Sequence, residues 1–513
     1  MKKISLVFLC FLYVIPAVSQ LNPQSKKITE RYFKDADTLG LVTPALKKKR
    51  GFTNYDELIQ FISSLKETYP DKVEMTFIGE SQKGYKIPLV KLTNPDSDKE
   101  KIKVWMQGGL HGNEPASTEG LLYLLHSLLN KNDCRYLLDR IELAVIPMAN
   151  IDGYLKHSRY AANGLDLNRD QTKLMAPETI VLKEAASAFN PEVVVDFHEY
   201  NAFRRDFSKM GSFGIASVYD IMFLYSGNLN VPENMKDLTK SVFVKNAREI
   251  LDENNLRYHD YMSTTDYYGD IHFNLGSINA RSSATSYALT NAVSTLIEVR
   301  GVNLGRTSFQ RRIATTYLVG ISYLKSAYEN VTLVKSEIDK AITTEIKSTV
   351  TSKRKVQEGS IEVLDLDTKE IIDMNVMIRN ALESSPELVR DKPQAYIIDK
   401  KYENLIEKLN TLGIKTNVLG EETEFNVDCY KVIDFDKEDK PYEKMIRQSV
   451  KTKLVKKSLV FPVGTYFIST DQKNAPLLTE LLEPEALNGF VSFGVLKVKY
   501  NQELPIYRLS KKN

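Results

Sequence analysis

The chain has 513 residues, 42% of them hydrophobic and 26% charged, with a formal net charge of +3. That composition excludes a disordered or fibrous protein and leaves ample material for a core in two or three domains. A charge so close to zero gives no reason to expect nucleic acid or another polyanion as partner.

The N-terminus begins with Lys2 and Lys3, continues with an apolar run from Ile4 to Ile15, and reaches Ala17-Val18-Ser19 before Gln20. A short basic region, a short apolar region and small residues at alternate positions describe a secretory signal peptide over 1–19, cleaved near Ser19–Gln20. The run is too short to span a membrane, and Cys10 within it is not preceded by the small residues of a lipid-attachment site. With no later long apolar run, the mature chain is expected to be secreted or periplasmic, without a membrane span. Cleavage leaves Cys134 and Cys429. These can form one disulfide but no cysteine zinc site, so any metal must rest on His and carboxylates.

Residues 20–50 are polar and Lys-rich and read as a lead-in with little core. "TNYDELIQFISSLKETYP" then places Leu58, Ile59, Phe61, Ile62 and Leu65 on one face of a helix, capped by Thr53 or Asn54 and stopped at Pro70. Four short apolar runs follow, at 101–109, 141–150, 192–200 and 294–301, separated by helical patterns. That alternation predicts an α/β fold with a largely parallel sheet flanked by helices over 51–335. Ligands in such sheets collect at the carboxyl ends of the strands. Polar residues stand at each of those ends: His111, then Asn150 and Asp152, then His198 and Glu199, then Glu298.

A helical stretch from about 307 to 340 leads to "TTEIKSTVTSKRKVQEGS", which reads as a polar connector. Beyond it, 340–513 reads as a smaller α+β domain. "AYIIDKKYENLIEKLNTLGIKTNVL" suggests strand, helix, strand, and 459–470 and 489–500 are further strand candidates. The six histidines are 111, 126, 157, 198, 259 and 272, so metal chemistry belongs to the first domain. No internal repeat is present.

"GGLHGNEPASTEG" sets His111 and Glu114 at i, i+3 where a strand passes into a helix. Gly108, Gly109 and Gly112 give the backbone room to turn, and Pro115 suits the first helical turn. Two such ligands need a third from another strand end to hold zinc, and His198 is the natural choice; an ordinary polar loop would show the same pair. "NIDGYLKHSRYAANGLDLNRD" adds Arg159, Asp166, Asn168 and Arg169, residue types that suit a carboxylate and a developing oxyanion.

In this order, "HGNE", "NIDGY", "SRYAANGLDLNR", "DFHEY" and "LIEVRG" resemble the M14-type zinc carboxypeptidases, over roughly residues 50–330. The resemblance implies one zinc ion held by His111, Glu114 and His198. It further implies Arg159 as the oxyanion arginine, Asn168 and Arg169 as the clamp on the substrate's C-terminal carboxylate, Glu298 as general base, and Asp166 as the carboxylate that orients His111. The substrate would be a peptide with a free C-terminus, cell-wall peptides being a variant. The tail is similar to C-terminal extensions of large secreted bacterial members, and no chemistry attaches to it. The tyrosine that covers the site in this family could be Tyr267, Tyr268 or Tyr287. Arg204 and Arg205 could favour an acidic group on the substrate or form a solvated face. His126 reads as structural. Competing readings are a deacylase of the desuccinylase or aspartoacylase type, and an inactive binding module, against which the full ligand set argues. The oligomeric state is open.

Overall fold

Valine-rich runs build the centre of the fold. β1 (Val73–Glu80) and β2 (Lys86–Leu92) form a hairpin, followed by β3 (Ile102–Gly108), β4 (Ile141–Ile146) and β5 (Val193–Tyr200). Next come β6 (Ile215–Ser217), β7 (Ile221–Tyr225), β8 (Tyr258–Asp260), a hairpin of β9 (Met262–Tyr267) and β10 (Asp270–Leu275), and β11 (Val293–Arg300). Eight of them make one sheet in the order β1-β2-β4-β3-β5-β11-β7-β8. Its centre, β4-β3-β5-β11, is parallel, with antiparallel pairing of β2 to β4 and of β7 to β11. Every residue of β5 and β11 is buried, as expected of parallel strands covered on both faces. The helix Tyr55–Thr68 is closed by a capping box between Asn54 and Glu57. It packs on β1, and the helices Pro115–Asn130 and Phe309–Glu329 pack on each other.

The structure is a computed structural model that describes residues 24–35, 39–344 and 347–510, so the expected signal peptide at 1–19 lies outside the described residues. Among the described residues no helix is long and apolar enough to cross a membrane.

The lead-in carries more core than its composition suggests. Ile28, Phe33, Ala45 and Leu46 are buried, and the Phe33 ring lies 4.0 Å beneath the Arg300 guanidinium. The polar connector is also not a connector. From Ser348 onwards it belongs to β12 (Ser348–Asp365), which pairs along its length with β13 (Ile371–Arg390). These strands join the first part of the chain in a second sheet, β6-β12-β13-β10-β9. Much of the ribbon is exposed on both faces, so it lacks the apolar alternation by which half-buried strands are recognised. The boundary expected near residue 340 is therefore crossed by a shared sheet.

The rest of the C-terminal part is a six-stranded antiparallel sheet. Its strands are β14 (Ala395–Ile398), β15 (Asn417–Val418), β16 (Thr423–Lys437), β17 (Gln448–Phe461), β18 (Tyr466–Ser469) and β19 (Glu503–Leu509), in the order β15-β18-β14-β19-β16-β17. The helices Glu403–Thr411 and Ala475–Leu482 complete an α+β unit. The run 459–470 is broken by a turn into the end of β17 and all of β18, and 489–500 forms turns rather than a strand. Phe490, Val491, Phe493, Leu496 and Val498 are nevertheless buried, which accounts for the apolar pattern there. Cys134 and Cys429 are free, buried thiols, so the disulfide they could have made is absent.

Candidate active site

The end of β3 runs into a turn that only small residues allow. Gly109 has φ +65°, and a Cβ on Gly112 would lie 2.0 Å from the carbonyl carbon of Gly153. The loop at 108–114 thus packs directly on the short helix Ile151–Tyr154, whose N-cap is Asn150. Pro115 starts the next helix, but Glu114 at its N-cap makes no capping bond. Capping comes instead from Glu199 of β5, whose carboxylate accepts from the Ala116 amide at 2.9 Å and from Arg312 Nε at 2.7 Å. Glu114 is free to turn towards the two histidines.

His111, Glu114 and His198 converge, with one ligand atom of each within 4.8 Å of the others, and all three are buried. The Nδ1 atoms of His111 and His198 are 3.0 Å apart, and Glu114 lies 2.7 Å from the first and 2.9 Å from the second. Each imidazole has its other nitrogen against a carboxylate: His111 Nε2 is 3.0 Å from Asp166, and His198 Nε2 is 2.9 Å from Asp196. A carboxylate only accepts, so each Nε2 is placed to donate to its carboxylate, and with a cation at the centre each Nδ1 would offer its lone pair inward. Two nitrogen lone pairs and a carboxylate around one point fit a divalent cation of the zinc class, with the oriented-imidazole arrangement typical of such sites. Burial works against charge on His198, but Asp196 and Glu114 outweigh it and raise its pKa well above the ordinary value. A cation would take the place of that proton.

Asp196 is absent from the sequence reading. Its signal is local: residues two apart on a strand share a face, so "DFH" already sets a carboxylate beside His198. Asn150 and Asp152, by contrast, are structural, since Asp152 accepts from Ser81 Oγ at 2.8 Å and from the Lys83 amide at 3.1 Å.

Parallel pairing makes Glu298 of β11 the register partner of His198. Burial, aided by the Glu114 carboxylate, pushes its pKa up to about 7 despite the nearby histidines and Arg159. Arg159 donates from Nε to Asp166 at 2.9 Å and lies 3.7 Å from Glu114. Burial tends to lower its pKa, but these carboxylates and Glu298 raise it. Asn168 accepts from the Ser283 amide at 2.8 Å through its side-chain oxygen.

Arg159, Asn168, Arg169 and Glu298 line one cavity of about 390 Å³, together with Tyr200, Arg204, Tyr261, Arg281 and Arg354. Tyr267, Tyr268 and Tyr287 do not line it. Tyr268 stands in solvent at the tip between β9 and β10, and Tyr287 is buried with Lys183 Nζ 3.5 Å from its ring centre. The hydroxyl of Tyr200 is tied to Ser217 and to the Tyr219 carbonyl. Arg205 is exposed, outside the cavity.

The C-terminal part also reaches the site. The loop between β16 and β17 places Glu443 so that its carboxylate accepts from the Asp166 amide at 3.0 Å, and Lys444 donates to the Asn163 carbonyl. Glu443 and Lys444 both have positive φ, 46° and 64°. The neighbouring Tyr442 ring lies 5.0 Å from the Arg281 guanidinium.

A buried His-Glu-His set at the carboxyl ends of parallel strands, with arginines and a carboxylate in one cleft, defines a metal-dependent hydrolase. Residues 58–300 match the peptidase M14 zinc carboxypeptidase family. The chain is 30% identical over 442 residues to "Carboxypeptidase 2" of Trichophyton rubrum, covering 84% of this chain and 81% of that protein. "Carboxypeptidase 2" of Trichophyton equinum matches at the same identity and coverage. Among solved structures, the carboxypeptidase A from Helicoverpa armigera is 19% identical with a TM-score of 0.43, covering 56% of this chain and 78% of that one. The chain belongs to the M14 zinc carboxypeptidases and is a metallocarboxypeptidase. The likeness to the fungal relatives extends past the matched family segment into the C-terminal part.

Proposed function

We propose that this chain removes C-terminal residues from peptides, with zinc as its metal and Glu298 as general base. His111, Glu114 and His198 would hold the ion, each histidine oriented by its own carboxylate. The ion, when bound, supplies Lewis acidity and makes a water acidic enough to ionise near neutral pH. Glu298 takes a proton from the attacking water and returns it to the leaving amine. Burial and the Glu114 charge, which push this carboxyl up to about 7, suit it to both tasks. Arg159, fixed by Asp166, stabilises the charge that develops on the carbonyl oxygen. Asn168, its oxygen engaged by the Ser283 amide, turns its NH₂ group with Arg169 to the terminal carboxylate. Residues 1–19 support export of the mature enzyme.

The observation that carries this reading is the shared cavity: Glu298, Arg159, Asn168 and Arg169 face one space beside the His111–Glu114–His198 cluster. To test it, the mature chain is incubated with a peptide library and with N-acyl amino acids, and the products are weighed by mass spectrometry. Stepwise loss of single C-terminal residues is the expected outcome. Release of acyl groups alone, with peptides left intact, would contradict it and favour a deacylase.

A further inference from the structure

The cavity holds five arginines, 159, 169, 204, 281 and 354, against two glutamates, 199 and 298. Glu199 is already neutralised by Arg312, at 2.6 Å. Arg159 is paired with Asp166. Among the described residues the other four arginines make no salt bridge, and their hydrogen-bond or ring partners are uncharged. Arg169 donates to the Asn168 carbonyl at 2.8 Å and Arg204 to Thr264 Oγ1 at 2.9 Å. Arg354 donates to Asn274 Oδ1 at 2.6 Å, and Arg281 lies over Tyr442.

These cations are not free in bulk water. Burial lowers the pKa of Arg354, and Arg379 nearby lowers it further. Burial lowers Arg281 as well. In Arg390, on β13, burial acts in the same sense, but the Glu485 and Glu483 carboxylates outweigh it and raise the pKa. At Arg281 and Arg354 the neighbouring charges do not outweigh the desolvation, and an arriving carboxylate would offset it through charge-assisted hydrogen bonds. One substrate carboxylate is accounted for by Asn168 and Arg169, with Arg281 lining the same cavity. Arg204 and Arg354 remain. Both line the cavity: Arg204 is held on Thr264 of β9, whose hydroxyl donates in turn to Asp206 at 2.7 Å, and Arg354 is held on Asn274 of β10.

We propose that Arg204 and Arg354 form a second anion subsite, and that the preferred substrate carries an acidic side chain on one of the two residues flanking the bond that is cut. This rests on the carboxypeptidase reading. It also gives the C-terminal part a task, since Arg354 belongs to β12 and carries a specificity contact into a cleft built by the earlier strands.

The test uses N-acylated dipeptides in matched pairs, Glu against Gln, at the last position and at the penultimate one. The zinc-loaded enzyme is expected to favour Glu over Gln by at least about tenfold in kcat/KM at one of the two positions, the scale of a charge-assisted contact. Arg204→Gln and Arg354→Gln should each shrink that ratio several-fold with zinc content unchanged. Calorimetric binding of the same dipeptides to Glu298→Gln protein reads the subsite without turnover. If no dipeptide is cut but the Glu forms bind tighter, the subsite stands and the peptidase reading falls. Ratios near one at both positions in binding and in turnover, or ratios that survive both arginine substitutions, would overturn the subsite.

Discussion

At the inner end of the cleft, the groups around the metal site are paired: His111 faces Asp166, His198 faces Asp196, and Arg159 sits between Asp166 and Glu114. At the outer end, Arg204, Arg281 and Arg354 make no salt bridge among the described residues and bond to or stack on uncharged groups. The inner groups stand on or beside the carboxyl ends of parallel strands, where β3, β5 and β11 fix their spacing through register. The outer groups come from loops and from β12, far along the chain. The difference separates two tasks. A paired and rigid inner end holds a cation and a base in fixed positions, whereas an outer end with uncompensated cations awaits a ligand that brings the missing negative charge.

Substitutions at the inner end should have the largest effects. Glu298→Gln is expected to lower kcat by about two to four orders of magnitude, the range of a lost general base, with metal content unchanged by atomic absorption. Near-full activity would remove Glu298 from the mechanism. The same group sets a pH signature. It works as a base only when ionised, so kcat/KM should fall as pH drops through its pKa. A bound cation pulls that pKa below the value of about 7 set by burial and Glu114, so the acid limb is expected below pH 7. A profile rising towards low pH would contradict this.

Asp196→Asn tests whether the pairing at the inner end matters to the metal. Loss of the carboxylate behind His198 should weaken metal affinity by about 10- to 100-fold, measured by competition with a chelator. Unchanged affinity would make Asp196 a passive neighbour. A smaller effect is expected where the two ends meet. Glu443→Ala removes the contact of the β16–β17 loop to the Asp166 amide and should reduce kcat several-fold with little change in melting temperature. An effect on melting alone would make the loop merely structural.

The inner end was also the part legible in sequence, because its residues lie in short motifs tied to strand ends. His111 and Glu114 are three apart, Asp166 precedes Asn168 and Arg169 by a few residues, and His198 and Glu298 end apolar runs. The parallel sheet was legible for the same reason: strands buried on both faces read as continuous apolar runs. The outer end was not. Arg354 sits in a lysine- and arginine-rich stretch whose polar faces hide its strand, and it joins the cleft only because β13 pairs with β10. Glu443 meets Asp166 across 277 positions of chain. Tyr261, which lines the cavity where Tyr267, Tyr268 or Tyr287 were expected, differs from them in placement rather than in any local pattern.

A metal-dependent enzyme that grips a free C-terminus must distinguish a free acid from an amide. One peptide in two forms, free acid and C-terminal amide, is offered to the zinc-loaded chain and to the chelated chain. Single-residue trimming of the free acid by the loaded enzyme is expected, with the amide left intact and both left intact after chelation. Equal cleavage of acid and amide, or trimming that survives complete removal of the metal, would contradict it.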